Sequence, residues 1–200
     1  MITYKEDDSF FTMLVYPGML HRLSIIKWFE ENNNAKFRFI RDQESESEYF
    51  NLTQVNDIYP GIKTIAVVMN PWLRVKYSYD MICKLKDENR QIPATTFNFD
   101  LENFESFVSN IDTAQKNNYW FTPATQQTEW LTNVDQQADY ILRAEHMDED
   151  FKIIQDYFCS NQPLTRQDTI PQYKEFYTAR TRRIVAKLFK DDIERFGYKF

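Results

Sequence analysis

IKTIAVVMNPWLRVKYSYDM, residues 62–81, is the stretch from which the rest of the chain can be placed. Ile62 and the run Ile65 to Met69 form a nearly continuous apolar segment of strand length, which suits a strand covered on both faces of a parallel sheet. Asn70 and Pro71 end it: Asn70 can bond its own backbone in a turn, and Pro71 suits the first position of a helix. Trp72, Val75, Tyr79 and Ile82 then recur at helical spacing, while Arg74 and Ser78, four apart, share another face. In open α/β sheets ligands sit beyond the carboxyl ends of the strands, so the corner from Met69 to Ser78 is a candidate site.

Working outward, Phe10 to Tyr16 reads as a first strand closed by Pro17 and Gly18, and Leu20, Leu23, Ile26, Trp28 and Phe29 as the stripe of the helix after it. His21 and Arg22 fall near the amino end of that helix. Free backbone donors and the positive dipole end could hold a phosphate there. The alternative is a pair of solvated first-turn residues, although basic groups in a first turn oppose the dipole. Lys36 to Arg41 alternates like a half-buried strand, and Asp42 to Glu48 reads as an acidic solvated connection. Asn89 to Asn98 is loop-like, and Leu101, Phe104, Phe107, Val108 and Ile111 return at helical spacing. Lys116 to Thr125 is aromatic and irregular, a packed surface loop or a lid. Asp139 to Arg143 reads as a buried strand, with Phe151, Ile154 and Phe158 as the stripe of the next helix. A last helix begins after Thr178 as N-cap and runs to Phe196, with Gly197 at C′. The alternation predicts one three-layer α/β domain over residues 1–200, with a mostly parallel sheet.

The 200 residues carry three glycines, Gly18, Gly61 and Gly197, too far apart for either a Walker loop or a G-x-G-x-x-G fingerprint. A net charge of −6 disfavours a general nucleic-acid binder. The charge is uneven: Tyr173 to Phe200 is +4, leaving −10 for the remainder, so a local anionic ligand fits the carboxyl end. Cys83 and Cys159 lack metal or redox spacing and read as reduced, partly buried thiols. The acidic amino end is unlike a signal peptide, and no apolar run approaches a membrane span, so a soluble, cytoplasmic protein is expected, with no metal.

Three blocks resemble the sulfotransferase family, in the branch of carbohydrate sulfotransferases and their bacterial and viral relatives. NPWLRVKYSY, from Asn70, resembles R-N-P-x-x-R-x-x-S-x-Y; DYILRAEHMDEDF, from Asp139, resembles a strand ending in R-F-E-N-L before a helix opening with D-F. YKEFYTARTRRIVAKLFKDDIERFGYKF, from Tyr173, resembles a closing Y-x-x-Y-Y-T helix and D-x-x-x-F-G-Y end. With Gln126 and Trp130 the similarity spans most of the chain. It implies a P-loop-like fold, 3′-phosphoadenosine 5′-phosphosulfate (PAPS) as sulfuryl donor, and an acceptor hydroxyl or amine, a carbohydrate among the candidates. Donor contacts are then expected from Pro17, Gly18, Met19, Leu20, His21, Arg22, Leu23 and Ser24 in the first corner and from Asn70, Arg74 and Ser78 in the second. His21 and Arg22 are the catalytic candidates. His21 is preferred as general base over His146, which with Glu145 reads as loop packing.

The chain departs from the family pattern where the donor should be held. The family's P-K-T-G-G-T-S loop is replaced by PGMLHRLS, with no lysine at its usual place. Met69 stands at the family's 3′-phosphate arginine and Tyr77 at its serine. Two readings follow: His21, Arg22 and Arg74, helped by Lys76 or the basic end, take over the phosphate contacts, or the fold persists without the reaction and binds another anion or a protein. A nucleotide kinase on the same fold is disfavoured by the missing Walker residues.

Overall fold

The computed structural model describes residues 2–4, 11–15, 20–32, 36–38, 52–58, 60–88, 101–115, 125–131, 137–166 and 169–200. Within them the strands are β1 (Ile2–Tyr4), β2 (Phe11–Val15), β3 (Lys36–Arg38), β4 (Lys63–Val68) and β5 (Tyr140–Arg143). The helices are α1 (Arg22–Glu31), α2 (Leu52–Ile58), α3 (Pro71–Asp87), α4 (Phe104–Gln115), α5 (Gln127–Leu131), α6 (Met147–Asp150), α7 (Lys152–Tyr157), α8 (Ala179–Leu188) and α9 (Lys190–Phe196). The chain divides into two compact units, Met1–Val68 with Glu129–Ile170, and Met69–Thr128 with Pro171–Phe200.

The first unit holds a sheet in the order β3-β1-β2-β4-β5. The three predicted apolar strands are neighbours and parallel: Val15 lies opposite Ala66, and Ala66 opposite Ile141. This makes the chain an α/β protein whose sheet has three neighbouring parallel strands, β2, β4 and β5. β1 is antiparallel to both its neighbours, so it alone runs the other way. β4 is an interior strand between β2 and β5, and Thr64 to Val68 are all buried, as an apolar run flanked on both sides requires. β5 lies at the sheet's edge and corrects the buried-strand reading: of its residues only Leu142 is buried.

Asp139, just before β5, ties the amino ends of β4 and β5 together. Its carboxylate accepts from the Thr64 backbone N–H and hydroxyl, both at 2.9 Å, and from Lys63 Nζ at 2.7 Å. At the other end of β5, Asp150 accepts from the Arg143 backbone N–H at 2.7 Å and from its guanidinium at 2.9 and 2.7 Å. Beside the sheet, Trp28 and Phe29 of α1 meet Phe151 and Phe158 edge to face, with ring centroids 5.0 to 6.2 Å apart. The stripe of α1 is displaced from the expected one: Ile25, Trp28 and Phe29 are buried, while Leu23 is 59% exposed.

In the second unit, α3, α4 and α8 share a core of Trp72, Val75, Ile82, Phe107, Val108, Ile111, Val185 and Phe189. This is the stripe expected for α3 and α4. Thr178 caps α8 through a capping box with Thr181, and Gly197 takes the left-handed φ of 68° that favours glycine at a helix end. The expected single closing helix is broken at Phe189, whose φ of −113° and ψ of 35° leave the helical region, giving α8 and α9.

Two carboxyls in the first unit are held below the ordinary carboxylate range. For Asp139, burial pushes upward but the hydrogen bonds from Lys63 and Thr64 outweigh it; for Asp150, the Arg143 side-chain bond dominates. Each lowered group contributes stability that is complete above its unfolded pKa of about 3.9 and is lost as pH falls through the lower folded value. Asp139→Asn should cost about 1 kcal/mol at pH 7, the small figure reflecting solvent screening of a partly exposed pair, and should flatten the loss of stability below about pH 4. Urea unfolding of both proteins from pH 2.5 to 7 checks this; parallel curves across the acid range refute it.

Candidate functional site

The corner after β4 is built by local chemistry. Asn70 is the N-cap of α3: its side-chain oxygen accepts from the Trp72 N–H at 3.1 Å, and Pro71 fills the first helical position. The Asn70 side-chain N–H₂ donates in turn to the Lys199 carbonyl at 2.9 Å. Trp72 Nε1 donates to the Arg182 carbonyl at 3.1 Å, and the Tyr177 hydroxyl donates to the Trp72 carbonyl at 2.8 Å. Burial holds the Tyr177 phenol well above its ordinary pKa, so it remains a donor across the ordinary pH range. Burial first, then a hydrogen bond with Cys83, pushes Tyr79 up to about 12.

Beneath this corner lies a charged network. Asp192, with no exposed surface, accepts from the backbone N–H groups of Gln127 and Thr128, both at 2.8 Å, at the start of α5. Its Oδ2 also lies 3.3 Å from Gln127 Nε2 and 3.5 Å from Arg74 Nη1. Gln127 completes the network by bonding both backbone groups of Met69: its Oε1 accepts from the N–H at 2.8 Å, and its Nε2 donates to the C=O at 2.8 Å. Arg74 Nη2 donates to the Thr125 carbonyl, and its guanidinium lies 5.3 Å from the Phe189 ring centroid. A carboxylate at the amino end of a helix is favourably placed, and here it also balances a buried guanidinium.

The residues expected at the site divide between the units. Asn70, Arg74 and Ser78 belong to the second, and all three are buried. Arg74 faces Asp192 and Thr125, and Ser78 Oγ donates to the Arg74 carbonyl at 2.8 Å, one helical turn back. Lys76 is also buried; its ammonium bonds both Asp80 oxygens at 2.5 and 2.6 Å and lies 3.8 Å from the Phe176 ring centroid.

Leu20, His21, Arg22, Leu23 and Ser24 belong to the first unit, whereas Pro17, Gly18 and Met19 lie outside the described residues. His21 is the N-cap of α1 and sits fully buried at φ 63°, a left-handed conformation uncommon outside glycine. That burial removes the solvated reading for His21. Its Nε2 lies 3.1 Å from the Ala144 carbonyl; since a carbonyl only accepts, Nε2 carries the proton. His146 has a half-exposed side chain 3.7 Å from Glu149. Asp192 and Gln127 carry the network, although no local spacing marks either; the neighbouring Gln126, which belongs to the family resemblance, instead donates to Asp191 at 3.1 Å. The motif D-x-x-x-F-G-Y, which begins at Asp192, was the available signal.

Cys83 and Cys159 are free thiols, and Cys159 is exposed rather than partly buried. Among the described residues no group of three or more His, Cys, Asp or Glu is placed to hold a metal, and no helix is long and apolar enough to cross a membrane.

Fold and corner together define an α/β protein with three neighbouring parallel strands and a capped strand-to-helix turn leading from β4. No protein-family model matches the chain, and no curated protein does. Among solved structures, the sulfotransferase from Alicyclobacillus acidocaldarius is similar at a TM-score of 0.38 and 13% identity, over 72% of this chain and 56% of that one. This chain therefore spans a little over half the length of that protein.

Removing the Asp192 carboxylate should strand Arg74 in the core. Asp192→Ala is expected to lower the unfolding free energy by about 3–5 kcal/mol, the usual effect of breaking a buried ion pair from one side. Arg74→Met in the Asp192→Ala background should recover part of that loss, because no unpaired charge then remains. Urea midpoints of the two variants test the coupling; a double variant no more stable than the single one refutes it.

Proposed function

We propose that this chain is a single sulfotransferase-like domain with a three-layer, P-loop-like arrangement, moving a sulfuryl group from PAPS to an acceptor hydroxyl or amine. The observation that carries the reading is the joining of two of the three resembling blocks. Asn70 bonds Lys199, Trp72 bonds Arg182, Tyr177 bonds Trp72, and Arg74 pairs with Asp192, across more than a hundred residues of sequence in each case. Unrelated strings that matched family patterns by chance would have no reason to be one another's hydrogen-bond partners.

In the proposed reaction the acceptor oxygen or nitrogen attacks sulfur in line. The bond from sulfur to the bridging phosphate oxygen breaks, and 3′-phosphoadenosine 5′-phosphate leaves with the electron pair. His21 takes the acceptor's proton, and Arg22, at the first position of α1, offsets the charge on the donor with the backbone donors of that helix. Such transfers depend chiefly on positioning and charge stabilisation, as phosphoryl transfer does.

A second reading has its own support. Arg74 and Ser78 are engaged by groups of their own unit, and Met69, at the family's arginine position, is 1% exposed. A chain whose phosphate ligands have become internal fastenings suits a retained fold that binds another anion or a protein partner without transfer.

Calorimetry with the desulfated donor separates the two. The sulfotransferase reading expects saturable binding and a rise in melting temperature. Arg22→Ala should weaken binding about tenfold to a hundredfold, the effect of losing one hydrogen bond to a charged group, and His146→Ala should leave it unchanged. No heat and no melting shift at millimolar ligand would transfer the assignment to the second reading.

A further inference from the structure

We propose that Asp150 is a positioning residue for His21, an inference that rests on the reading of His21 as the group that takes the acceptor's proton. A histidine can do so only at a ring nitrogen with a lone pair, and the bond made by the other nitrogen decides which one that is. His21 Nε2 donates to the Ala144 carbonyl at 3.1 Å, so Nδ1 carries the lone pair. On transfer the acceptor's O–H or N–H bond breaks, the proton bonds Nδ1, and the imidazolium keeps its Nε2–H on Ala144. The backbone of His21 is fixed by α1, whose first bond runs from the Ile25 N–H to the His21 carbonyl at 3.0 Å. The ring is what remains to be oriented.

The tautomer is therefore only as well defined as the direction of one carbonyl. Ala144 opens a 3₁₀ turn, Ala144–His146, and follows Arg143, the last residue of β5 at the sheet's edge. Asp150 closes this corner from seven residues beyond Arg143. Its Oδ2 accepts from the Arg143 backbone N–H at 2.7 Å and from Nε at 2.9 Å, and its Oδ1 accepts from Nη2 at 2.7 Å. The Arg143 side chain is 46% exposed, so the ion pair itself adds little stability. The third bond, to a backbone N–H, acts on the main chain: with its amide and its side chain both held, Arg143 has little freedom to turn, and the Ala144 peptide is directed with it. The residue after Asp150, Phe151, is buried and meets Trp28 edge to face at 5.0 Å, seven residues along α1 from His21. The corner is thus attached to α1 at two places about 10 Å apart along the helix, and Asp150 braces the stretch of chain that joins them.

The chain has two histidines, His21 and His146, so the full chain labelled with nitrogen-15 histidine gives two imidazoles, told apart by H146Q. At about pH 8.5, above the ordinary histidine pKa of about 6.5, long-range proton–nitrogen spectra should show His21 with a pyrrole-type Nε2 and a pyridine-type Nδ1. D150A should lower the ratio of Nε2–H to Nδ1–H tautomers about threefold to tenfold, the effect of losing one hydrogen bond. D150N, whose amide oxygen can still accept from the Arg143 N–H, should keep the ratio of the parent. A carboxylate acting on stability alone would move the urea midpoint in both variants and the tautomer in neither. An Nδ1–H tautomer in the parent, an unchanged ratio in folded D150A, or an equal change in D150N overturns the proposal. D150S is read if D150A does not fold; failure of both to fold makes Asp150 a stability residue and overturns it too. The spectra need no donor, so a tautomer change in D150A together with no binding of the desulfated donor supports Asp150 as the residue that orients His21 and removes the transfer reading alone.

Discussion

The second unit depends on a carboxylate that has no contact with water. Asp192 is fully buried, and an isolated charge there would cost many kcal/mol, so its position is acceptable only because several donors converge on it. Two of them are backbone N–H groups at the start of α5, donors that the helix cannot satisfy itself. A third is the Arg74 guanidinium, equally buried and equally in need of a partner. Gln127 extends the network to the backbone of Met69, so the chain leaving β4 is fixed by groups from α5 and α9. Hydrophobic packing of α3 on α4 and α8 would tolerate small slides. A network of directional bonds around one carboxylate sets the register.

This constraint explains why the elements were more legible in the sequence than the site. Ile65 to Val68 could be read as a strand covered on both faces because an apolar run bounded by Asn-Pro has few other solutions, and both sheet neighbours of β4 were apolar runs too. The Thr178 cap and Gly197 likewise act within a few residues and leave local signatures. β1 gave no such signal, since three residues are too few to display a period, and α2 begins in a stretch of mixed polarity. Phe189 falls within the long helix expected from Thr178 to Phe196, and periodicity is blind to a single residue leaving helical dihedrals while its side chain stays buried.

Asp192 and Gln127 were harder still. Their partners lie about sixty or more residues away, and spacing along a chain says nothing about such distances. His21 shows the opposite case. Its place at a strand-to-helix corner was legible, but neither its burial nor its left-handed backbone was, because local spacing carries no sign of surroundings such as the Ala144 carbonyl, just after β5 and 3.1 Å from its Nε2. A non-glycine residue held at positive φ needs surroundings that over-determine it, and a carbonyl more than a hundred residues away is part of them.

Arg74 illustrates how a residue that fits a motif can be accounted for by stability. In sequence it is an arginine at the position where the resemblance expects one, four residues before a serine. In the structure its charge is balanced by Asp192, its Nη2 donates to a backbone carbonyl, and Ser78 returns its hydroxyl to the Arg74 carbonyl. Each bond would have to be given up before either side chain could hold a phosphate, and releasing Arg74 would leave the Asp192 carboxylate short of its cation. Retention of Arg74 is thus accounted for by stability alone, whether or not a nucleotide binds. The weight of the donor assignment consequently rests on the first corner, where Arg22 stands at the first position of α1.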